Sequence, residues 1–222
     1  GTKNEAISVQ KLIEEMWDNW DSRSVMNNFY FTLHQLRKIL GDKNSVIFKD
    51  GLCMLDPNLY WSDVSLFKYL LDKAEEAIKD SQEKEALDFL HQGIALYRGE
   101  YLEGESLGES LLLEREYIER KYYGALLNKA RILLKLNEFD KVVEIIQKAQ
   151  QSSFIDEDAY RVLMIAYYVQ GKLKHATDIY KKLKNRLQLE LGVAPHVITT
   201  TLYNRISGGD DSKDILDWLL HA

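Results

Sequence analysis

The chain has 222 residues, of which 45% are hydrophobic and 29% charged, so it can build one large domain or two small ones. Only 12 Gly and 2 Pro are present, which argues against a loop-rich all-β protein and against disorder and predicts a mainly α-helical fold. The formal net charge of −6 excludes a global basic field for nonspecific nucleic-acid binding, so any DNA contact must be local.

The composition also bears on the cellular compartment. A single cysteine, Cys53, excludes an intrachain disulfide framework and a cysteine-built zinc site, which fits a cytoplasmic protein. The longest aliphatic runs, such as residues 111–113, are far shorter than the roughly 18 residues that a membrane span needs, and no apolar signal sequence opens the chain. Because the sequence starts without Met, we expect a fragment of a longer protein that carries an expression scar.

The first 60 residues combine helices with one strand signal. Ser8 is a suitable N-cap for a helix over residues 9–17, and a second helix is predicted from about Ser24 to Leu40. Asp50-Gly51 between two short β-prone runs predicts a hairpin with a type I′ turn. Two helices followed by a hairpin is the element order of a winged helix from its second helix onward.

The second helix has two distinct faces. At 100° per residue, the apolar face that needs a core contains Phe29, Leu33, Leu36 and Leu40. The opposite face contains Asn27, Phe31, His34 and Lys38. An Asn can pair with adenine, an aromatic ring can touch a thymine methyl group, and His and Lys are donors, so this face predicts base contacts in DNA. The residues that flank it as predicted phosphate contacts are Arg23, Asn28, Arg37 and Lys49. A solvated amphipathic helix remains the alternative interpretation.

After residue 61 the sequence predicts only helices. The predicted ranges are 65–79, 82–97, 109–136, 138–151, 156–170, 172–191, 196–206 and 212–220. An offset of 34 residues superimposes Leu126 on Tyr160 and Val142 on Ala176, and a weaker copy lies around Ser81. Because 34 residues is the length of a tetratricopeptide unit, three stacked helical pairs are predicted, with the last two helices as a cap.

Motifs for catalysis or cofactor binding are lacking in the sequence. No Gly-rich phosphate loop, zinc-protease motif or hydrolase elbow occurs, and the five His residues have no convincing partner at ligand spacing. We therefore predict no enzyme activity, no catalytic residue, no cofactor and no metal site. The tyrosines at repeat spacing, such as Tyr160 and Tyr180, are predicted to fill the helical seams.

Three segments resemble a known family. Residues 94–102 (IALYRGEYL) resemble the "ALxLYRGExL" segment of the bacterial transcriptional activator domain, the tetratricopeptide-type module of AfsR-, DnrI- and EmbR-like regulators. Residues 156–164 (DEDAYRVLM) and 190–195 (ELGVAP) are similar to two further signatures of that module, in the same order. The resemblance covers about residues 62–206.

In that family an OmpR-type winged helix precedes the module, and residues 1–60 resemble its latter part. The similar segments are 11–17 for the positioning helix, 31–41 for the recognition helix and 46–55 for the wing. The resemblance implies that the DNA-facing helix carries Asn27, Asn28, Phe31, His34, Arg37 and Lys38. This sequence departs from the family pattern because it lacks the N-terminal small sheet, the first helix and any receiver or other sensory domain.

These observations predict a mainly α protein, with a partial winged-helix DNA-binding domain at 1–60 and a tetratricopeptide-like repeat stack at 61–222. The predicted function is transcriptional regulation, with promoter recognition by the winged helix, in a setting such as two-component signalling. Expected partners are DNA, a protein such as RNA polymerase or a regulatory domain, and a second copy in a homodimer, with no membrane contact. The alternative is a protein-interaction scaffold of helical repeats that does not bind DNA.

Overall fold

The computed structural model describes residues 6–17, 22–105, 108–150 and 156–221, without the side chains at 22–23 and 219–221. In these ranges the elements follow in the order β1 (Ile7–Ser8), α1 (Val9–Met16), α2 (Ser22–Ile39), β2 (Val46–Lys49), β3 (Leu52–Leu55), α3 (Asp63–Lys79), α4 (Glu83–Leu96), α5 (Glu109–Lys135), α6 (Phe139–Ala149), α7 (Glu157–Val169), α8 (Leu173–Glu190), α9 (Val197–Gly208) and α10 (Ser212–His221). The predicted mainly helical fold, with a small β element before a helical stack, is confirmed.

The predicted helix boundaries agree with the structure to within about two residues. Ser8 caps α1 as predicted, because its hydroxyl accepts a hydrogen bond from the Lys11 amide at 3.1 Å. Asp156 caps α7 in the same way through the Asp158 amide, at 2.8 Å. Residues 18–21, between the two predicted N-terminal helices, lie outside the described residues.

The N-terminal sheet has three strands, one more than the sequence predicts. Its order is β1-β3-β2 and all pairing is antiparallel, with Ile7 opposite Cys53 and Val46 opposite Leu55. The predicted hairpin is confirmed, and both turn residues have the positive φ of a type I′ turn, 53° at Asp50 and 74° at Gly51. A two-residue strand such as β1 has no alternation pattern, so only its pairing with β3 reveals it.

A small hydrophobic cluster joins α2 to α1 and the sheet. Phe29 and Leu33 of α2 are buried in it with Val9, Val46 and Cys53. The placement of Leu36 on the core face is wrong, since 40% of this residue is exposed and the cluster does not include it. The apolar face of α2 is therefore narrower than its sequence predicts.

The contacts of the chain divide it into two compact units. One contains the chain up to Gln82 together with His91–Glu119, and the other contains Glu83–Leu90 together with the chain from Arg120 onward. This division falls within α4 and α5. The domain boundary near residue 60 stays a prediction.

Four helical hairpins close with the same turn. In each hairpin, a residue just after the first helix takes a left-handed conformation, with φ between 57° and 80°. These residues are Ser81 after α3, Asn137 after α5, Gly171 after α7 and Gly209 after α9. At the second of these turns the Asn137 amide donates to the Leu134 carbonyl at 3.1 Å, and the Glu138 amide donates to the Leu133 carbonyl at 2.9 Å. The same pair of hydrogen bonds occurs at the other three turns. This is the Schellman arrangement, which satisfies the free carbonyls of a helix end.

The 34-residue offset is also visible in the core. Val142 and its counterpart Ala176 are fully buried, and Tyr160 is 1% exposed. The prediction that Tyr160 and Tyr180 fill the helical seams is confirmed, because both are buried among the repeat helices. Ile215 of α10 is buried in the cluster that α7 shares, as expected for a helix that covers the end of the stack.

The LYRGEYL segment is held by one arginine of α5. The Arg115 guanidinium donates to the carbonyl oxygens of Tyr101 at 2.7 Å and Leu102 at 2.6 Å, and it pairs with Glu100 at 3.0 Å. Leu102 has a φ of 53°, so the loop reverses sharply where Arg115 holds it. By contrast, Arg98 is exposed and makes one ion pair, with Asp63 at 3.0 Å.

Gly171→Ala should destabilise the protein by about 1 kcal/mol, because an alanine at φ 72° is strained. Gly124→Ala is the matched control: Gly124 lies inside α5 with no atom within 4 Å of an added Cβ, and it should gain about 0.5–1 kcal/mol in helix propensity. Urea unfolding followed by circular dichroism measures both. Equal effects of the two substitutions would contradict the assigned turn conformation.

Arg115→Met should lower the free energy of unfolding by roughly 1–3 kcal/mol, since it removes hydrogen bonds from a charged group to two loop carbonyls. Limited proteolysis should cut Arg115→Met faster within residues 99–105. Arg98→Met is the control and should change stability by less than about 1 kcal/mol, as is usual for exposed ion pairs. Indistinguishable proteolysis patterns would show that Arg115 does not hold the loop.

Candidate nucleic-acid interface

The face of α2 that the sequence assigns to DNA is on the protein surface. All four of its residues are exposed, namely Asn27, Phe31, His34 and Lys38. Phe31 is 65% exposed, although burial of its ring would be favourable. An aromatic ring among amide, imidazole and ammonium groups gives this face both apolar and hydrogen-bonding contacts.

The flanking residues differ in their surroundings. Lys49 is exposed at the end of β2, directly before the Asp50-Gly51 turn. Asn28 is half-buried, and the side chain of Arg23 lies outside the described part of the chain. The structure thus brings one predicted phosphate contact, Lys49, to the tip of the hairpin.

Arg37 is engaged within the protein. Its Nε donates to the Val46 carbonyl oxygen at 3.2 Å and its Nη2 donates to the same oxygen at 2.6 Å. The side chain is half-buried and reaches from α2 to the start of the hairpin. This contact joins residues nine positions apart in the sequence.

Aromatic packing also holds the hairpin against α2. The Phe48 ring of β2 makes edge contacts with Phe29 at 5.6 Å and with Tyr30 at 6.0 Å between centroids. The Tyr60 hydroxyl donates to the Leu40 carbonyl oxygen at 2.8 Å, just after the end of α2. These contacts fix α2 at several points, and sequence analysis missed those of Arg37 and Tyr60 because no local pattern signals them.

Cys53 lies on β3 inside this cluster. It is 5% exposed, and burial raises the pKa of its thiol, while the nearby positive charge of Arg37 partly opposes that effect. A buried thiol with a raised pKa is a poor nucleophile and a poor metal ligand at neutral pH. Cys53 is therefore a packing residue of the sheet.

The described ranges offer neither a metal site nor a membrane-spanning helix. There, no group of three or more His, Cys, Asp or Glu side chains could hold a metal ion. In the same ranges, no helix is both long and apolar enough to cross a bilayer. The exposed face of α2 and the adjacent hairpin remain the most distinctive candidate site.

Several known proteins are similar to this chain in sequence or in structure. The chain is 23% identical over 218 residues to the regulatory protein DnrI of Streptomyces peucetius, covering 94% of this chain and 80% of DnrI. Among solved structures, EmbR of Mycobacterium tuberculosis, in complex with a low-affinity phosphopeptide, superimposes with a TM-score of 0.75 at 19% identity. That match covers 97% of this chain but 59% of the EmbR chain, so this sequence spans less than two thirds of that protein.

A second solved structure shares part of the fold of this chain. A tetratricopeptide-repeat domain from Plasmodium falciparum superimposes on 67% of this chain with a TM-score of 0.51 at 17% identity, which shows a shared fold. The model of the bacterial transcriptional activator domain matches residues 62–207, well over half of the chain. The chain therefore belongs to the bacterial transcriptional activator domain family.

Proposed function

We propose that this chain is a DNA-binding transcriptional regulator in which α2 enters the major groove and the β2–β3 hairpin lies against the phosphate backbone as a wing. The observation that carries the proposal is the exposed face of Asn27, Phe31, His34 and Lys38 on a helix fixed to a hairpin. Similarity to the regulator DnrI along 94% of the chain supports it. A helix of this kind is the usual reading element of winged helices.

Each exposed residue of α2 has a defined chemical role in this proposal. The amide of Asn27 pairs with an adenine edge, and the ring of Phe31 contacts a thymine methyl group. His34 and Lys38 donate hydrogen bonds to base edges or phosphates. Arg23, Asn28 and Lys49 contact the backbone and set the register of the helix in the groove.

The charge distribution suggests how such binding is controlled. Residues 1–60 have a net charge of −1 and residues 61–222 a net charge of −5, so nonspecific attraction to DNA is weak. Affinity then depends on the correct sequence and on assembly through the repeats. We infer that the repeats associate with a second copy or with a protein such as RNA polymerase, in the cytoplasm.

The first test selects duplexes from a random-sequence DNA pool with the purified chain and measures affinity for the selected sequence. Asn27→Ala should weaken binding to that duplex by about 5–100-fold, as expected for a lost bidentate base contact, and leave nonspecific binding unchanged. Asn204→Ala, an exposed Asn of α9, is the matched control and should bind like the parent chain.

Lys38→Gln should weaken binding to all duplexes and reduce the slope of log affinity against log salt by about 0.9, if it neutralises one phosphate. Lys84→Gln, an exposed Lys of α4, should leave the slope unchanged. If no sequence is enriched from the pool, and Asn27→Ala and Lys38→Gln behave like their controls, the scaffold interpretation replaces this proposal.

A further inference from the structure

Arg37 of α2 donates hydrogen bonds to β2, the edge strand of the hairpin. In the sheet order β1-β3-β2, β2 is an edge strand among the described residues, so no strand in those residues pairs with its outward carbonyls. The Val46 carbonyl at the start of β2 accepts hydrogen bonds from both Nε and Nη2 of Arg37, at 3.2 and 2.6 Å. The guanidinium thus ties the edge strand of the hairpin to the last turns of α2.

From this contact we propose that Arg37 is a positioning residue that sets the angle of the wing against the reading helix, and that it does not bind DNA phosphate. The inference rests on the proposed function, in which α2 and the hairpin contact DNA together. It separates Arg37 from Lys38 beside it, which is exposed and for which the structure describes no such contact.

The hydrogen bonds between Arg37 and Val46 lie at the base of the hairpin. Val46 is buried and pairs with Leu55, and the adjacent Ser45 carbonyl accepts from the Asp56 amide at 2.9 Å. Lys49 lies three residues further along β2, about 10 Å away at the usual rise of a strand. A small rotation at Val46 is therefore carried to Lys49 at the tip of the hairpin.

The chemistry of the side chain favours arginine here. The planar guanidinium can direct two N–H groups at one carbonyl oxygen, whereas a lysine ammonium is a point donor on a flexible stem. Packing of Phe48 on Phe29 and Tyr30 holds the middle of β2, and Arg37 adds a polar contact at its first residue. Lysine at position 37 would keep the positive charge, but it would lose the fixed pair of N–H groups that both point at the Val46 carbonyl oxygen.

The first experiment compares salt dependence in the full chain with the selected duplex. Arg37→Gln should weaken specific binding by about tenfold or more and leave the salt slope within about 0.3 of the parent value, because no phosphate contact is removed. Arg37→Lys should weaken specific binding by a similar factor. A slope reduced by about 0.9 in Arg37→Gln and rescued in Arg37→Lys would overturn the inference, since that is the behaviour of a phosphate contact.

A double-mutant cycle tests whether Arg37 acts through the wing. Lys49→Gln should weaken binding in the parent chain, and its effect should largely disappear in the Arg37→Gln background, because the tip is no longer held at the phosphate. The Lys38→Gln and Lys49→Gln effects should instead be additive. Additivity of Arg37→Gln with Lys49→Gln would contradict positioning.

The single thiol gives a readout that needs no DNA. Cys53 belongs to β3 of the hairpin and its side chain is buried, so its alkylation by iodoacetamide in the native protein requires opening of this part of the sheet. Arg37→Gln and Arg37→Lys should be alkylated at least about fivefold faster than the parent chain, and Lys38→Gln at the parent rate. In Arg37→Gln the loss of the positive charge raises the pKa of the thiol further and slows the chemistry, so faster labelling of this variant reports opening.

Failure of the inference and failure of the proposed function give different results. If the parent chain enriches no DNA sequence, the proposed function and the DNA role of Arg37 fail together, and faster labelling would leave Arg37 as a structural contact alone. If the parent chain binds a selected duplex but Arg37 variants are labelled at the parent rate, only the inference about Arg37 fails.

Discussion

Each of the helical hairpins α3–α4, α5–α6, α7–α8 and α9–α10 reverses direction within three residues, and a left-handed residue makes that possible. Where Asn137 or Gly171 takes this conformation, two backbone hydrogen bonds close the helix end and the next helix begins at once. The short turn brings the two helices into contact, so small residues such as Ala176 are buried at the seam. The repeat spacing of 34 residues follows from two such helices and their turns.

Two of the three family signatures make side-chain contacts with α5. In the segment at 156–164, the carboxylate of Asp158 accepts hydrogen bonds from both Arg131 of α5 and Arg161 of its own helix. Burial lowers the pKa of both guanidinium groups. The Asp156 carboxylate opposes the shift of Arg131, and the carboxylates of Glu157 and Asp156 oppose that of Arg161. Arg115 holds the LYRGEYL loop in a comparable way. These two signatures therefore belong to the fold of the repeats, whereas the proposed DNA contacts belong to α2 and the hairpin.

Sequence patterns predicted the elements that local interactions determine. The helices, the Asp50-Gly51 hairpin and the outward face of α2 follow from periodicity, caps and turn residues, and the structure has all of them. Strand β1, the exposure of Leu36 and the contact of Arg37 with Val46 depend on neighbours that are distant in sequence. For the candidate site, a helical wheel can indicate which residues face outward, but it cannot show that one of them bonds to the hairpin.

DNA reading by α2 is tested most directly by an amide NMR titration of the full chain with the selected DNA duplex. If α2 reads DNA, the largest chemical-shift changes should occur at Asn27, Phe31 and His34 of α2 and at Lys49 of the hairpin. Amides of α7 and α8 should change little at equal DNA concentration. Changes confined to the repeat helices, with α2 unaffected, would contradict the claim that α2 reads DNA.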